Sequence, residues 1–419
     1  MTVHSRGSRL PFHYGWIIVA SGTLCIFACL GFGRFALGML LPAMAQNLGL
    51  SYSQMGFIST SNFVGYLAAV LLGGHLAGKI GPRKIIFISL LIVGLSMSLI
   101  SQAKSFRYVV FFYTLTGLGS GASNVPMMGL VSTWFTRTTR GKAAGFVVIG
   151  SGFAIILSGY FIPAVNEHYG QEGWRINWLI IGAVSTAISL ICLLLLRDRP
   201  EDIGLMPAGG PARPADRSST DTYTRPAVYR EKAIYLLGAI YFLFGYTYVI
   251  FVTFIVTSMV QERGFSESAA GGFWSWIGFL SLFSGPIFGT LSDRLGRKAG
   301  LVTVFSLQMT AYFLVASDLP NLFLYISIFC FGIVAWSIPS IMIAAVSDYV
   351  GAQKAAAAFG FVTFIFGLGQ ISGPAVAGML AEQTGTFSGS FLMAGGFAGL
   401  AIVLTLLLKP PHHRWAKTD

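Results

Sequence analysis

Long apolar runs separated by short polar segments extend along the whole chain. Twelve of them reach the roughly 17–25 mostly apolar residues that a transmembrane helix needs. They are Trp16–Leu41, Gly56–Ala77, Ile85–Ser101, Tyr108–Trp134, Ala143–Pro163, Asn177–Leu196, Ala233–Met259, Ala270–Leu291, Ala299–Ser317, Leu322–Val346, Ala355–Leu380 and Ser390–Leu408. The runs are continuously apolar, whereas the strands of a membrane β-barrel are short and alternate. The pattern therefore predicts an all-α membrane protein with twelve transmembrane helices.

The composition agrees with a chain that lives in a lipid bilayer. It is 54% hydrophobic and 10% charged, whereas an average soluble protein is about 25% charged. This excludes most soluble enzymes, and it excludes disordered and collagen-like chains. The net charge is +12, but the bases are scattered between apolar runs and form no basic patch for nucleic acid.

The cysteines and glycines give no sign of a cofactor or a metal site. Cys25, Cys29, Cys192 and Cys330 all lie inside apolar runs, so we predict small membrane residues and no disulfide framework. The string Gly31-x-Gly33-x-x-Ala36 resembles a dinucleotide loop, but it lies within a membrane span with no strand before it. We expect no cofactor.

The positions of lysine and arginine predict the orientation. With the N-terminus inside, 22 of the 27 bases fall in inner segments, four in outer loops and one within a span. Cytoplasmic loops carry the excess of positive charge. Both termini are therefore predicted to be cytoplasmic, in a multi-pass protein of the cytoplasmic (inner) membrane.

The chain divides into two similar halves. The longest polar stretch, residues 197–232, separates six spans from six and contains five prolines, as a solvated linker does. Gly74-His-Leu-Ala-Gly-Lys-Ile-Gly-Pro-Arg-Lys84 follows span two, and Gly289-Thr-Leu-Ser-Asp-Arg-Leu-Gly-Arg-Lys298 follows span eight, 215 residues later. Gly150-Ser-Gly recurs as Gly367-Leu-Gly. We predict six-helix lobes at 1–196 and 233–419, an internal repeat typical of secondary transporters.

These motifs resemble the major facilitator superfamily. The resemblance rests on the G-x-L-x-D-R-x-G-R-K loop, its degraded first copy, the twelve spans and the glycine-rich fourth span. His13-Tyr-Gly-Trp16 and Arg199-Pro-Glu-Asp-Ile-Gly-Leu205 are loosely similar to bacterial organic-anion and monocarboxylate porters. The resemblance implies alternating access by two lobes, with spans one, four, seven and ten lining a central cavity. We expect a monomer that carries a small molecule.

The resemblance also implies that the repeated loop is a cytoplasmic latch. Asp293 can accept hydrogen bonds from Arg294 or Arg297, whereas the first copy has Gly78 at the acidic position, so we predict an asymmetric gate. The alternative is that these bases only anchor the inner face. The predicted gating residues are Gly74, Gly81, Arg83, Gly289, Asp293, Arg294, Gly296 and Arg297.

One charge lies within a span. Of 42 Lys, Arg, Asp and Glu residues, Arg34 alone is placed clearly inside the membrane, where an arginine costs roughly 2.5–3.5 kcal/mol on insertion scales. Gly31 and Gly38 flank it and leave room for a cavity or for a closely packed helix. Arg34 either binds an anion that arrives and leaves, or it is a structural residue that snorkels outward or bonds helix carbonyls.

The acidic residues bear on both cargo and coupling. Asp348, at the inner end of span ten, is the acid nearest to a membrane interior. A carboxylate is therefore the natural complement of Arg34, and a cationic drug is not. A co-transported proton would travel on the substrate or through a group at a helix end; uniport and exchange are the alternatives.

Polar and aromatic residues of the spans complete the predicted binding site. With Arg34 they are Asn124, Tyr241, Tyr246, Trp336 and Gln370, although each alone is also a packing or lipid-contact residue. We predict a secondary transporter of a small organic anion. The alternatives are efflux of neutral or amphipathic compounds and a non-transporting sensor. An enzyme is disfavoured, because no metal-ligand cluster, Ser-His-Asp set or carboxylate pair lies at membrane depth.

Overall fold

The chain is all-helical where the structure, a computed structural model, describes it. The described residues are 12–209, 231–351 and 354–409, with every side chain in these ranges except those of residues 72–79 and 137. The helices are α1 (Gly15–Leu48), α2 (Tyr52–Ile80), α3 (Pro82–Ile100), α4 (Phe106–Trp134), α5 (Arg137–Tyr169), α6 (Gly173–Leu195), α7 (Lys232–Glu262), α8 (Glu267–Leu295), α9 (Arg297–Ala316), α10 (Asn321–Val350), α11 (Ala355–Thr384) and α12 (Ser388–Leu407). Each predicted span lies within one of these helices, to within one residue.

Three helices are irregular, and each irregularity lies within a predicted cavity-lining span or at its end. α1 contains a π-helix at Phe27–Phe35, and α7 ends in a shorter one at Ser258–Glu262. α10 is interrupted between Val334 and Ser337. The last break follows from the sequence, because Pro339 cannot donate a backbone bond to the preceding turn.

Most of these helices have the length and the apolar composition of transmembrane helices. Among the described residues, eight helical stretches are long and apolar enough to cross a membrane, and one of them, Thr138–Leu195, holds both α5 and α6. The other predicted spans lie in α2, α4 and α8, which have 29 residues each. The all-α prediction is confirmed, and the count of twelve crossings stays a prediction.

The helices group into two compact units. Unit 1 comprises Met1–Leu37, Val64–Ile155 and Val165–Thr222; unit 2 comprises Gly38–Phe63, Ile156–Ala164 and Tyr223–Asp419. Within unit 1, α1, α3, α4 and α6 share a core that includes Ile18, Leu90, Trp134 and Cys192. Within unit 2, the start of α2 bonds to second-half helices, for example from Thr60 Oγ1 to the carbonyl of Ile371 at 2.8 Å. The division into lobes at 1–196 and 233–419 stays a prediction.

One glycine of each repeated string brings two helices of its half together, although Gly150 and Gly369 are the first and the last residue of their strings. A Cβ on Gly150 of α5 would lie 2.1 Å from the Thr23 carbonyl oxygen of α1. A Cβ on Gly369 of α11 would lie 2.2 Å from the Phe242 carbonyl oxygen of α7. In each half the fifth helix thus contacts the backbone of the first, and a larger residue at either glycine would separate the two helices.

Candidate functional site

Arg34 lies at the end of the π-helix in the middle of α1. Its side chain is half-buried, and its Cζ is 4.2 Å from the centroid of the Tyr66 ring of α2. A guanidinium over an aromatic face is attracted by the ring quadrupole, by about 0.5–2 kcal/mol depending on how far water is excluded. Tyr66 therefore stabilises the charge of Arg34 in the middle of an apolar helix.

Tyr66 also connects Arg34 to Asn124, the second predicted residue of this unit. Asn124 Nδ2 donates a hydrogen bond of 2.8 Å to Tyr66 Oη. We call Arg34, Tyr66 and Asn124 the polar set. It brings together a cation, a hydroxyl and an amide from α1, α2 and α4.

Sequence reasoning missed Tyr66. It lies on span two, which the superfamily resemblance does not assign to the cavity. The neighbouring Gly65 is a sequence feature that could have drawn attention to this position. A Cβ at Gly65 would lie 2.1 Å from the Thr114 carbonyl oxygen of α4. That close approach of α2 to α4 brings the Tyr66 hydroxyl within reach of Asn124.

The glycines that flank Arg34 serve helix packing. A Cβ on Gly31 would lie 2.1 Å from the Cβ of Ala154 in α5. Gly38, in unit 2, would place a Cβ 2.5 Å from the Val252 carbonyl oxygen of α7. The two glycines therefore lie against closely packed helices and not against a cavity.

The predicted second-half residues Tyr241, Trp336 and Gln370 belong to one aromatic cluster. Tyr241 stacks on Phe366 with ring centroids 4.2 Å apart. Tyr248 meets Trp336 edge-on at 5.8 Å and accepts a short hydrogen bond from Gln370 Nε2. We call these five residues the aromatic set. All of them belong to unit 2, and none carries a charge.

Tyr246 lies outside the aromatic set. Its hydroxyl is 3.5 Å from Met393 Sδ, and its ring packs against Phe397, so it faces α12. Tyr241 and Tyr248 are seven residues apart and share a helix face, whereas Tyr246 is rotated away from both. The seven-residue spacing between Tyr241 and Tyr248 could have shown, from the sequence, that Tyr248 and not Tyr246 lies on the same face as Tyr241.

The second copy of the loop motif forms a charge network. Arg297 pairs with Asp293, and Arg297 Nε donates to Asp348 Oδ2 at 3.0 Å. Arg294 is exposed. Gly296 has a φ of +92°, in the left-handed region that favours glycine, so the chain makes a tight turn there. A Cβ on Gly289 would meet nothing within 4 Å, so the structure has no close helix approach at that residue.

The first copy takes its carboxylate from a distant part of the chain. Asp198, which follows α6, accepts a 2.7 Å bond from the backbone N–H of Arg83 and so caps the start of α3. Gly81 has a φ of +91°, matching the turn of the second copy. Arg83 Nε donates to the Leu193 carbonyl at 2.8 Å. Gly74 lies in α2 among the residues whose side chains are outside the described part.

Residues 197–209, the start of the predicted linker, pack against helix ends of unit 1. Trp134 Nε1 donates to the Arg197 carbonyl at 3.0 Å, and Ala208 N donates to the Trp134 carbonyl at 2.9 Å. His13 Nε2 is 2.9 Å from the Met206 carbonyl oxygen. The strings that begin at His13 and Arg199, noted separately in the sequence, therefore adjoin each other. Most of the linker, residues 210–230, lies outside the described residues.

A cavity of about 510 Å³ lies elsewhere in unit 2. It is lined by Gln46, Tyr52, Glu267 and Glu382 among others, and by none of the predicted site residues. Glu382 Oε2 accepts a 3.1 Å bond from Ser53 N and so caps the start of α2. In the described ranges no group of three His, Cys, Asp or Glu side chains is arranged to hold a metal ion.

Comparisons with known proteins identify the family. The model of the family described as "Uncharacterised MFS-type transporter YbfB" matches residues 26–406. A hexuronate transporter of Bacillus subtilis (strain 168) is 27% identical over 400 residues, covering 88% of this chain and 90% of that protein. A 3-(3-hydroxy-phenyl)propionate transporter of Escherichia coli (strain K12) is 26% identical over 418 residues, covering 97% and 96%.

A solved structure has the same fold. It is a bacterial homolog of the human lysosomal transporter Spinster, in an inward-facing and unoccupied conformation. The TM-score is 0.77 at 15% identity, and the match covers 96% of this chain and 97% of that one. Since the family model spans most of the sequence, the chain belongs to the MFS-type transporters of the major facilitator superfamily, and it is a transporter and not an enzyme.

Proposed function

We propose that this transporter is a secondary carrier that moves a small organic anion, a carboxylate, by alternating access, and that Arg34 binds the carboxylate group. One observation carries the proposal: a half-buried guanidinium in the middle of an apolar helix, stacked on the Tyr66 ring. The free-energy cost of burying this cation in the membrane falls when the guanidinium is paired with an anion.

The chemistry of the guanidinium suits a carboxylate. Its N–H groups lie in one plane and form a fork that matches the two oxygens of a carboxylate. Stacking on Tyr66 covers one face of the guanidinium. The N–H bonds lie in the plane of the group, so they do not point at the ring. Tyr66 Oη and Asn124 then add neutral polar groups beside the charge.

The names of the relatives support the same substrate class. Hexuronates and 3-(3-hydroxy-phenyl)propionate are both carboxylates, and their transporters match nearly the full length of this chain. The proposal places the carrier in the cytoplasmic membrane as a monomer, with both termini inside. Because the acidic residues of the described helices lie near helix ends, a coupled proton would enter with the acid itself or through one of those groups.

A second part of the proposal concerns gating. The Asp293–Arg297–Asp348 network joins the end of α8 to the ends of α9 and α10. Such a network can be made in one state of the carrier and broken in another. Arg294, Gly289 and Gly296 belong to the same loop, and Gly74, Gly81 and Arg83 belong to its first copy.

The test is uptake into membrane vesicles that contain wild-type protein, Arg34→Ala or Arg34→Lys. The probes are labelled glucuronate and 3-phenylpropionate, each compared with its neutral amide. We expect uptake of acid but not of amide by the wild type, loss in Arg34→Ala, and impairment in Arg34→Lys, because an ammonium cannot bind bidentately. Arg107→Ala, which removes an exposed arginine, is the matched control.

A second candidate function is efflux of neutral or amphipathic compounds. The uncharged aromatic set of unit 2 favours it, since stacked rings bind apolar cargo. Transport of the amides as fast as the acids, together with full activity of Arg34→Ala, would select this alternative and reject the anion carrier.

A further inference from the structure

The turn of α1 that carries Arg34 is wider than an α-helical turn. Within Phe27–Phe35 the backbone bonds reach five residues back, and the first regular residue after it, Ala36, still donates to the carbonyl of Gly31. Regular α-helix continues on both sides. A π-helix is less favourable than the α-helix around it and persists where neighbouring groups support it, often at a functional site.

Two hydroxyls of α4 bond to the carbonyls of this turn. Ser120 Oγ donates to the Cys29 carbonyl at 2.7 Å, and Tyr113 Oη donates to the Arg34 carbonyl at 3.1 Å. Both side chains are almost fully buried. Ser120 and Tyr113 are seven residues apart and so lie on one face of α4. Cys29 and Arg34 are five apart, so the two bonds fall at the two ends of one π turn.

Local packing fixes both donors in these directions. The Tyr113 ring meets Trp178 of α6 edge-on at 5.8 Å. A Cβ on Gly33 would lie 3.0 Å from Ser120 Oγ, so glycine at this position permits the approach of the serine. Ser120 Oγ is also 2.8 Å from the Thr116 carbonyl, the acceptor within α4 that a serine in a helix ordinarily uses. Its one hydrogen is therefore shared between that carbonyl and the Cys29 carbonyl of α1, which lies slightly nearer.

We propose that Tyr113 and Ser120 are positioning residues for the Arg34 guanidinium, which they orient by holding the π turn. Collapse of one π turn to an α turn rotates the residues beyond it by about 100°. That rotation would carry the guanidinium away from the Tyr66 ring and spoil its alignment with a carboxylate. The inference rests on the proposed function, because it gives Arg34 its orientation for an anion.

The test measures KM and kcat for acid uptake in Tyr113→Phe, Ser120→Ala and the double variant. Each single variant loses one oxygen and is expected to raise KM for the acid about threefold to tenfold, with kcat within about twofold of wild type. The double variant is expected to raise KM further. A residue with only a structural role would lower the amount of folded protein and kcat and would leave KM unchanged.

Matched controls remove equally buried hydroxyls for which no hydrogen bond to α1 is found among the described residues. Ser189 Oγ donates to the Thr186 carbonyl within α6, and Tyr312 lies in α9 of unit 2. Ser189→Ala and Tyr312→Phe are expected to keep the wild-type KM. Hydrogen exchange of the backbone amides of residues 29–36 is a second readout, which needs only folded protein. It should quicken in Ser120→Ala and Tyr113→Phe and not in the controls.

Arg34→Ala in the same assay separates the two proposals. If it abolishes acid uptake while Tyr113→Phe and Ser120→Ala match their controls in KM and in exchange, the positioning role is wrong and the anion carrier stands. If Arg34→Ala transports the acid normally, the proposed function is wrong, and the positioning role falls with it.

Discussion

The two halves of the chain place their charges differently. In the first half a guanidinium lies in the middle of α1, stacked on Tyr66. In the second half the aromatic set occupies the helix interiors, and the charges of Asp293, Arg297 and Asp348 lie at helix ends. The two halves thus share long apolar helices and a glycine contact between the fifth helix and the first, while their polar residues differ. Under the proposed function, the first half would recognise the charge of the substrate, and the second half would supply apolar contact and gating.

The repeated loop shows the same divergence on a smaller scale. Gly81 and Gly296 have nearly the same positive φ, so the two turns have one geometry. The first turn is closed by a carboxylate on a backbone N–H, and the second by ion pairs between side chains. A helix cap contributes about 1 kcal/mol, whereas an exposed ion pair contributes about 0–1 kcal/mol. We therefore expect the second loop to open more easily than the first.

After Arg34 itself, the largest effect that sharpens this comparison is expected at Tyr66. Tyr66→Leu removes the ring beneath the guanidinium and the partner of Asn124, so we expect KM for the acid to rise at least about tenfold. Tyr66→Phe keeps the ring and should raise it about threefold. Uptake kinetics measure both, with Tyr160→Leu, which alters an exposed tyrosine, as the control. Equal effects of Leu and Phe would show that the hydroxyl, and not the ring, is what Arg34 needs.

A smaller effect is expected in the aromatic set. Trp336→Leu should raise KM about threefold for an acid with an aromatic ring and leave an acid without one unchanged, because aromatic pairs contribute about 0.5–1.5 kcal/mol. Tyr248→Phe should weaken uptake similarly, since it leaves Gln370 without its partner. Tyr246→Phe is the control for Tyr248→Phe. It should have the smaller effect on uptake, because the Tyr246 ring faces α12 and lies outside the aromatic set. A larger loss in Tyr246→Phe than in Tyr248→Phe would contradict the grouping of these residues.

The smallest effects are expected at the two loops. Asp293→Asn weakens an exposed pair, so kcat should change about twofold to fivefold with little change in KM or in melting temperature. Asp198→Asn weakens a helix cap and should lower stability by about 1 kcal/mol with little change in kcat. Thermal unfolding and uptake on the same preparations measure both. The reverse assignment, with Asp198→Asn slowing turnover and Asp293→Asn lowering stability, would overturn the comparison of the loops.

The sequence predicted the helices well because apolar runs of this length have few other folds available. It also identified Arg34, since a charge in such a run is conspicuous. It missed Tyr66 because the close approach of α2 to α4 at Gly65 is a tertiary contact that the pattern of one span does not reveal. It missed Asp198 because its partner Arg83 is 115 residues away. No sequence signal marks the π-helix of α1, whose support comes from hydroxyls on another helix. Arg34, Asn124 and the other site residues remain predictions that only transport and binding data can test.

The most direct test of the central claim is equilibrium binding to purified protein, measured by titration calorimetry at one fixed pH. The ligands are a transported acid and its amide, and the proteins are wild type, Arg34→Ala and Arg107→Ala. We predict that wild type and Arg107→Ala bind the acid and not the amide, and that Arg34→Ala loses at least about a hundredfold in affinity for the acid. An unchanged dissociation constant in Arg34→Ala would contradict the account.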